Sequence, residues 1–357
     1  MPVITTHPRT AAAGIPNVNS LVDRLESTDS PTKSRLLSRP VAPGLVATPL
    51  VVPPIWFSVV MGTSMVALLV ADAAPTVALS VWVVAAVAGG LVLVGIRIDG
   101  RWYGGHPVLA HGYGAASMAA MSLGAAGLAT QGPHGTPLLL HAVLWTLGTA
   151  LGLATALGTT WSTRRTPLTQ VGPWWLLAVV PPTVSATTGA PLVQALPDGG
   201  MRTALLACCY MFLVTSLALT ARVLALLAAR VRRHGWGEPA VMVSWLIVLG
   251  PLGQSITALD HLADVGGSRA LAQAYGPPVL ALALLWLAVA AGLVLRARPR
   301  FNLGWWALTF PVGTVATGAA SMGADTLAGV LTAGVVAAWL VVAPRTVAGV
   351  LDGSLLR

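Results

Sequence analysis

Ten stretches of this chain each run for 18 to 25 residues without a single Lys, Arg, Asp or Glu. They cover residues 49–70, 76–96, 108–129, 137–160, 173–195, 203–221, 239–259, 271–295, 303–323 and 326–343. The hydrocarbon core of a bilayer, about 30 Å thick, is spanned by a helix of roughly 20 apolar residues. Ten such runs in one chain leave few alternatives to an all-α membrane protein with ten transmembrane helices. The composition agrees: 55% of the 357 residues are hydrophobic and only 9% are charged, too few charges for a soluble domain of this size. Residues 1–47, rich in Ser, Thr, Pro and Arg, contain no apolar core of signal-peptide type and are read as a disordered basic cytoplasmic tail. Residues 48–350 form the membrane domain in this reading, and 351–357 a short cytoplasmic end.

The basic residues test the segmentation independently, because cytoplasmic loops collect Lys and Arg. If the tail, the C-terminal end and the loops after the even segments are placed inside, 18 of the 20 Lys and Arg residues fall there. Arg202 and Arg269 alone lie outside, and both termini face the cytoplasm of a cell whose plasma or inner membrane the protein crosses. The net charge of +9 is thus assigned to topology. Scattered over loops without polar or aromatic reading partners, it does not indicate a nucleic-acid partner.

A repeat is also visible. Pro49, Pro107, Pro173 and Pro239 open the first, third, fifth and seventh segments, with Leu303 at the matching place in the ninth. The spacings of 58, 66, 66 and 64 residues each hold one two-helix hairpin, so the chain reads as five hairpins in succession. Proline is favourable at a helix start, where its missing N–H had no partner anyway.

Odd and even segments differ in their interiors. The odd ones carry the helix-breaking and hydroxyl-bearing residues: Thr63 and Ser64; Ser117 and Ser122; Pro181, Pro182, Thr183 and Ser185; Gly250, Pro251, Gln254 and Ser255; Thr309, Pro311 and Thr314. The even ones, mostly Leu, Ala and Val, are read as straight and free of interior proline. Broken backbone is tolerated at membrane depth where it lies within protein or lines a wet cavity. Five broken helices in strict alternation therefore suggest a central pore lined by the odd set. Prolines that merely bend helices for packing, with hydroxyls bonded to their own backbone, are the competing explanation at any single helix.

No Lys or Arg falls within these segments, so an anion on such a path meets hydroxyls, backbone dipoles and small side chains. His111, His141 and Asp260 are the candidates for a proton relay, although a histidine inside a membrane more often satisfies a local hydrogen bond. No metal or catalytic cluster is present: His106 and His111, five apart, share a helix face poorly, and the adjacent Cys208 and Cys209 form neither a disulfide framework nor a CxxC knuckle. The chain is not expected to be an enzyme or to hold a cofactor. Gly148 and Gly152 suit packing within one protomer or between protomers.

Arg300-Phe301-Asn302-Leu303-Gly304-Trp305-Trp306-Ala307-Leu308-Thr309-Phe310-Pro311-Val312-Gly313 resembles the ninth-helix signature of the tellurite-resistance/dicarboxylate transporter family. That family includes fungal malate and sulfite transporters and the slow-type anion channels of plant guard cells. Pro54-Ile55-Trp56-Phe57 leading to Gly62-Thr63, His106-Pro107, Pro181-Pro182 and Gly250-Pro251-Leu252-Gly253 extend the resemblance over residues 49–344. It implies five helical hairpins around a pore lined by the odd helices, a homotrimer with one pore per protomer, and an aromatic gate that falls on Phe310. Read from the residues alone, Phe310 before a proline kink is either a plug that closes a narrow path by bulk and dewetting or an ordinary packing residue. The Trp-Trp and Thr-Phe-Pro pattern is closer to the malate and sulfite branch than to the tellurite-named members. The expected function is passage of small anions, either dicarboxylates such as malate or inorganic ions such as sulfite, chloride or nitrate. A proton-coupled dicarboxylate carrier is the alternative, and a receptor or structural protein without flux is the reading from another class.

Overall fold

The computed structural model describes residues 51–106 and 108–356, so the expected N-terminal tail lies outside the described residues. Every regular element among the described residues is helical. The α-helices are α1 (Phe57–Val70), α2 (Pro75–Asp99), α3 (Gly112–Gln131), α4 (Thr136–Ser162), α5 (Leu176–Val179), α6 (Pro181–Ala195), α7 (Gly200–His234), α8 (Leu249–Asp264), α9 (Arg269–Ala297), α10 (Phe310–Ser321) and α11 (Asp325–Leu351). Five of them are reached through a tighter 3₁₀ lead-in: Pro54–Trp56 before α1, Leu109–His111 before α3, Pro173–Trp175 before α5, Pro239–Val248 before α8 and Leu303–Leu308 before α10. These lead-ins fall at the starts of the odd-numbered sequence segments. A 3₁₀ run of ten residues, as at Pro239–Val248, is unusually long.

By length and composition six helices can each cross a membrane, and a seventh if Pro173–Val179 and Pro181–Ala195, bent by 42° at their junction, form one span. The expected segments that fall short are all odd-numbered, for visible reasons. Pro54–Val70 is short, Gly112–Gln131 is diluted by Gly, Ser and Thr, and the ninth segment is interrupted at Thr309, whose φ of −97° and ψ of −80° leave the helical region.

Burial divides the elements in two. In Pro239–Asp264, 72% of the most apolar window is buried, against 11% to 28% in the other five long helices. An apolar helix that leaves most of its surface uncovered is suited to lipid, whereas one covered on all sides belongs to the core. The covered elements pack on one another in cyclic order: α1 on α3, α3 on α5 and α6, α6 on α8, α8 on α10, and α10 back on α1. Each long, sparsely buried helix packs on the covered element that precedes it: α2 on α1, α4 on α3, α7 on α6, α9 on α8 and α11 on α10.

The close approaches within the covered set depend on missing side chains. A Cβ at Gly114 would come within 1.8 Å of the Leu177 carbonyl oxygen, and one at Gly253 within 2.3 Å of the Thr314 carbonyl carbon, so backbone lies against backbone there. Gly148 and Gly152 also pack within the protomer: a Cβ at either would meet Met121, Ser117 or Pro181 at 2.6 to 2.8 Å. One expectation needs correcting. Pro277 and Pro278 stand inside α9 and Pro344 inside α11, so the even segments are not free of interior proline. Pro277 and Pro278 are exposed and lie near the start of α9, which continues past them, so interior proline alone does not distinguish the two sets.

Candidate functional site

Residues from all five covered stretches meet at one narrow, partly open space. Met61 comes from α1, Met118 from α3, Leu176, Leu177 and Val180 from the bent fifth stretch, Ile247 and Gly250 from the seventh, and Phe310 and Pro311 from the ninth. The lining is wholly apolar, and the clear room within it is no larger than about one water molecule. Phe310 is 3% exposed and is the first residue of α10, directly after the break at Thr309. The breaks explain the convergence. Pro181 and Pro311 each start an α-helix, where the missing N–H costs little, and the chain changes direction just before them. That turn brings Val180 and Phe310 to the space.

Gly250, Pro251, Pro181, Pro182 and Pro311 are buried, as are Phe310 and every polar residue of the candidate lining set. Only Gly250, Phe310 and Pro311 of that set border the space itself. Most of the hydroxyls are engaged elsewhere. Ser122 donates to the Ala119 carbonyl at 3.2 Å, Ser185 to Pro181 at 3.2 Å, Ser255 to Leu252 at 2.9 Å, Thr309 to Trp306 at 2.7 Å and Thr314 to Pro311 at 2.7 Å. A hydroxyl closed onto a carbonyl one turn back is satisfied within its own helix instead of presenting a donor to a ligand. Others join elements: Ser117 donates to the Gly148 carbonyl at 2.6 Å, and Thr63 accepts from the Trp339 indole N–H at 3.1 Å while donating to Val59. The backbone carbonyl of Gln254 accepts from Thr187 at 3.4 Å. Ser64 and Thr183 differ, for their hydroxyls are buried without a partner among the described residues. A group left so costs about 1–3 kcal/mol.

Met61, Met118, Leu176, Leu177, Val180 and Ile247 carry no polar ligand group and were not among the sequence candidates. The position of the breaks was the available signal: Val180 immediately precedes Pro181, and Ile247 lies one turn before Pro251. The three proton-relay candidates are separated. His141 is buried in α4 and donates through Nε2 to the Thr188 carbonyl at 2.8 Å. His111 donates through Nδ1 to Val108 at 3.3 Å and stacks on Trp175. Asp260, toward the end of α8, is paired with Arg269 at 2.7 Å, and Arg269 also binds Asp264. None of the three borders the central space.

Fold and site together define a multi-pass membrane protein whose broken helices meet at an apolar constriction. The chain belongs to the SLAC1 family: the model of that family, described as a voltage-dependent anion channel, matches residues 51–347. This agrees with the family resemblance carried by the ninth-segment motif and with the expectation of anion transport. The family is one of channels and transporters, not of enzymes. Among curated proteins, the sulfite efflux pump SSU1 of Arthroderma otae is 29% identical over a stretch covering 40% of this chain and 42% of the relative. The proteins of the same description from Arthroderma benhamiae and Trichophyton rubrum are each 28% identical over the same shares. The matched stretch thus spans less than half the length of these relatives.

Proposed function

We propose that the chain conducts small anions of the sulfite class across the membrane through a path that runs between its five covered helices, with Phe310 as the gate. The observation that carries this reading is the meeting of all five at one apolar space bordered by Phe310. A constriction that holds about one water molecule and offers it no polar partner is readily dewetted, and a dewetted constriction blocks a hydrated ion. The cyclic packing of the covered elements supports a single path inside each protomer. The pairing of each with a sparsely buried helix supports ten crossings in five hairpins. In this reading the protein is a homotrimer, its partners are the lipid bilayer and the anion, and it lies in the plasma or inner membrane with both termini in the cytoplasm. The distribution of Arg and Lys supports that orientation. The sulfite efflux relatives favour sulfite over malate, and the engagement of most hydroxyls with the backbone argues for weak, transient contacts along the path.

The test is a panel in proteoliposomes holding the full chain and loaded in turn with sulfite, chloride, nitrate or malate. Protein-dependent release is expected for sulfite. Saturable binding of any of these ions without release would establish the receptor reading instead.

A further inference from the structure

The break at Thr309 is tied to a helix that borders no part of the central space. Thr309 donates twice to one acceptor: its N–H at 3.1 Å and its hydroxyl at 2.7 Å both fall on the Trp306 carbonyl. The Trp306 indole N–H in turn donates to the Thr346 hydroxyl of α11 at 3.0 Å, and Thr346 donates to the Val342 carbonyl at 2.9 Å. Trp306, Thr309 and Thr346 are all buried, so bulk water does not compete for any link. Phe310 is the next residue along the chain.

The same helix holds the other side of the break. The Trp339 indole of α11 donates to the Thr63 hydroxyl of α1 at 3.1 Å. Trp339 and Thr346 are seven residues apart, two helical turns, and so lie on one face. Beside Thr63, Gly62 leaves no room for a side chain, because a Cβ there would collide with the Thr309 hydroxyl and the Trp306 ring. The cycle of covered elements closes between α10 and α1, and α11 bridges that closure with two hydrogen bonds from indole to threonine. A buried indole N–H that loses its acceptor must turn to find another or stay unsatisfied. Because both donors of Thr309 rest on the Trp306 carbonyl, a shift of Trp306 moves the residue that sets the direction of Phe310.

We propose that Trp306 and Thr346 are positioning residues for the gate: their hydrogen bond holds the Thr309 break in the geometry that keeps the Phe310 ring at the central space. The inference rests on the reading of Phe310 as the gate. It gives α11, which contributes no residue to that space, control over how often the ring leaves it. Losing the bond weakens the closed arrangement and raises the basal rate of anion passage. A bond that served structure alone would, when lost, leave the rate unchanged or lower it.

The experiment is sulfite efflux from proteoliposomes holding the full chain at equal folded-protein content. Thr346→Val, which keeps the shape and removes the acceptor, is expected to raise the rate about tenfold. Trp306→Phe, which removes the donor, gives at least as large a rise, and the double variant gives no more than the larger single, because one bond is lost in all three. Thr346→Ser keeps the acceptor and stays within about twofold of native. Trp82→Phe removes a comparable indole donor, to the Leu123 carbonyl at 2.9 Å between α2 and α3, and leaves the rate unchanged. In a Phe310→Ala background, Thr346→Val adds less than about twofold. Thermal unfolding and helicity identify the folded variants. Two results overturn the proposal while the gate reading stands: native rates in folded Thr346→Val and Trp306→Phe, or a rise from Thr346→Val that persists in full when the Phe310 ring is already absent. If Phe310→Ala itself has the native rate, the gate reading fails and the proposal with it.

Discussion

Replacing Phe310 by Ala is the most direct test of the proposed conduction path, and the burial of the ring sets the size of the effect. The ring is 3% exposed and is packed at the meeting point of five helical stretches. Truncating a Phe so buried forfeits about 3–5 kcal/mol of packing and transfer free energy. To open, the ring must leave much the same contacts, so those contacts favour the closed arrangement by a comparable amount. At 1.36 kcal/mol per decade, removing them raises the passage rate by about two to four decades. The assay is efflux of sulfite from proteoliposomes of equal protein content, followed by a sulfite-reactive dye. Phe310→Leu, which keeps most of the apolar bulk, is expected to fall between the native protein and Phe310→Ala. Loss of stability does not imitate this result, because unfolded protein lowers flux. A Phe310→Ala rate within threefold of native, from protein with normal helicity, refutes the assignment of the gate.

Further expectations follow from the same geometry. Gly114→Ala drives a methyl group against the Leu177 carbonyl, whereas Gly90, where an added Cβ would have nothing within 4 Å, accepts Ala freely. Thermal unfolding in detergent is expected to show Gly114→Ala destabilised by about 1–3 kcal/mol or more and Gly90→Ala unchanged or slightly stabilised; equal midpoints would remove the close-approach argument. Burial, reinforced by the 2.6 Å hydrogen bond that its hydroxyl donates to Asp99, pushes Tyr103 up to about 12. Because the protonated phenol is favoured in the folded state, this stabilisation is fully present below about pH 10 and is lost as pH rises through about 12. The phenolate absorbance that disappears in Tyr103→Phe should accordingly emerge only near the upper value, and emergence at the ordinary tyrosine pKa would contradict it. Asp260→Asn breaks the pair with Arg269 away from the central space. It should leave sulfite efflux within about twofold of native with or without a pH gradient, and a gradient-dependent loss would revive the proton-coupled reading.

The sequence made the membrane class legible because a charge-free run long enough to cross hydrocarbon has no equally common soluble explanation. It also marked Gly250 and Pro311, since proline and glycine act on the backbone wherever the chain is placed, while Phe310 was marked by the family resemblance. The role of the hydroxyls was less legible. Ser122, Ser185, Ser255, Thr309 and Thr314 bond to carbonyls three or four residues back, a choice set by local helix geometry that a residue count does not reveal. Met61, Met118 and Ile247 look like any other apolar residue in an apolar run, and only the cyclic packing brings them to the central space. Pro277 and Pro278 are the opposite case, prolines in the interior of a helix that continues through them on its exposed side. Position relative to a change of helix type, more than the presence of proline, identifies the breaks that meet at the central space.

Passage of anions by the proposed path requires that an apolar constriction with no Lys or Arg in its lining distinguish anions from cations, and the helix starts beside it offer a means. Phe310 and Pro311 are the first residues of α10, Val180 is the residue before α6, and Gly250 is the second residue of α8. The starts of α6 and α10, where the chain changes direction, therefore lie at the space, whereas α8 continues there from its 3₁₀ lead-in. The N-terminal end of a helix carries a partial positive charge of about half an elementary unit, screened little where water is excluded. On the proposed path, a negative ion passing the opened gate would be stabilised there and a cation repelled. With the ring truncated in Phe310→Ala, a salt gradient across a bilayer containing the protein should give a reversal potential on the anion side, with permeability to chloride at least tenfold that to potassium. A potential near zero would mean that the opened path is a plain aqueous hole and that the helix starts confer no selectivity.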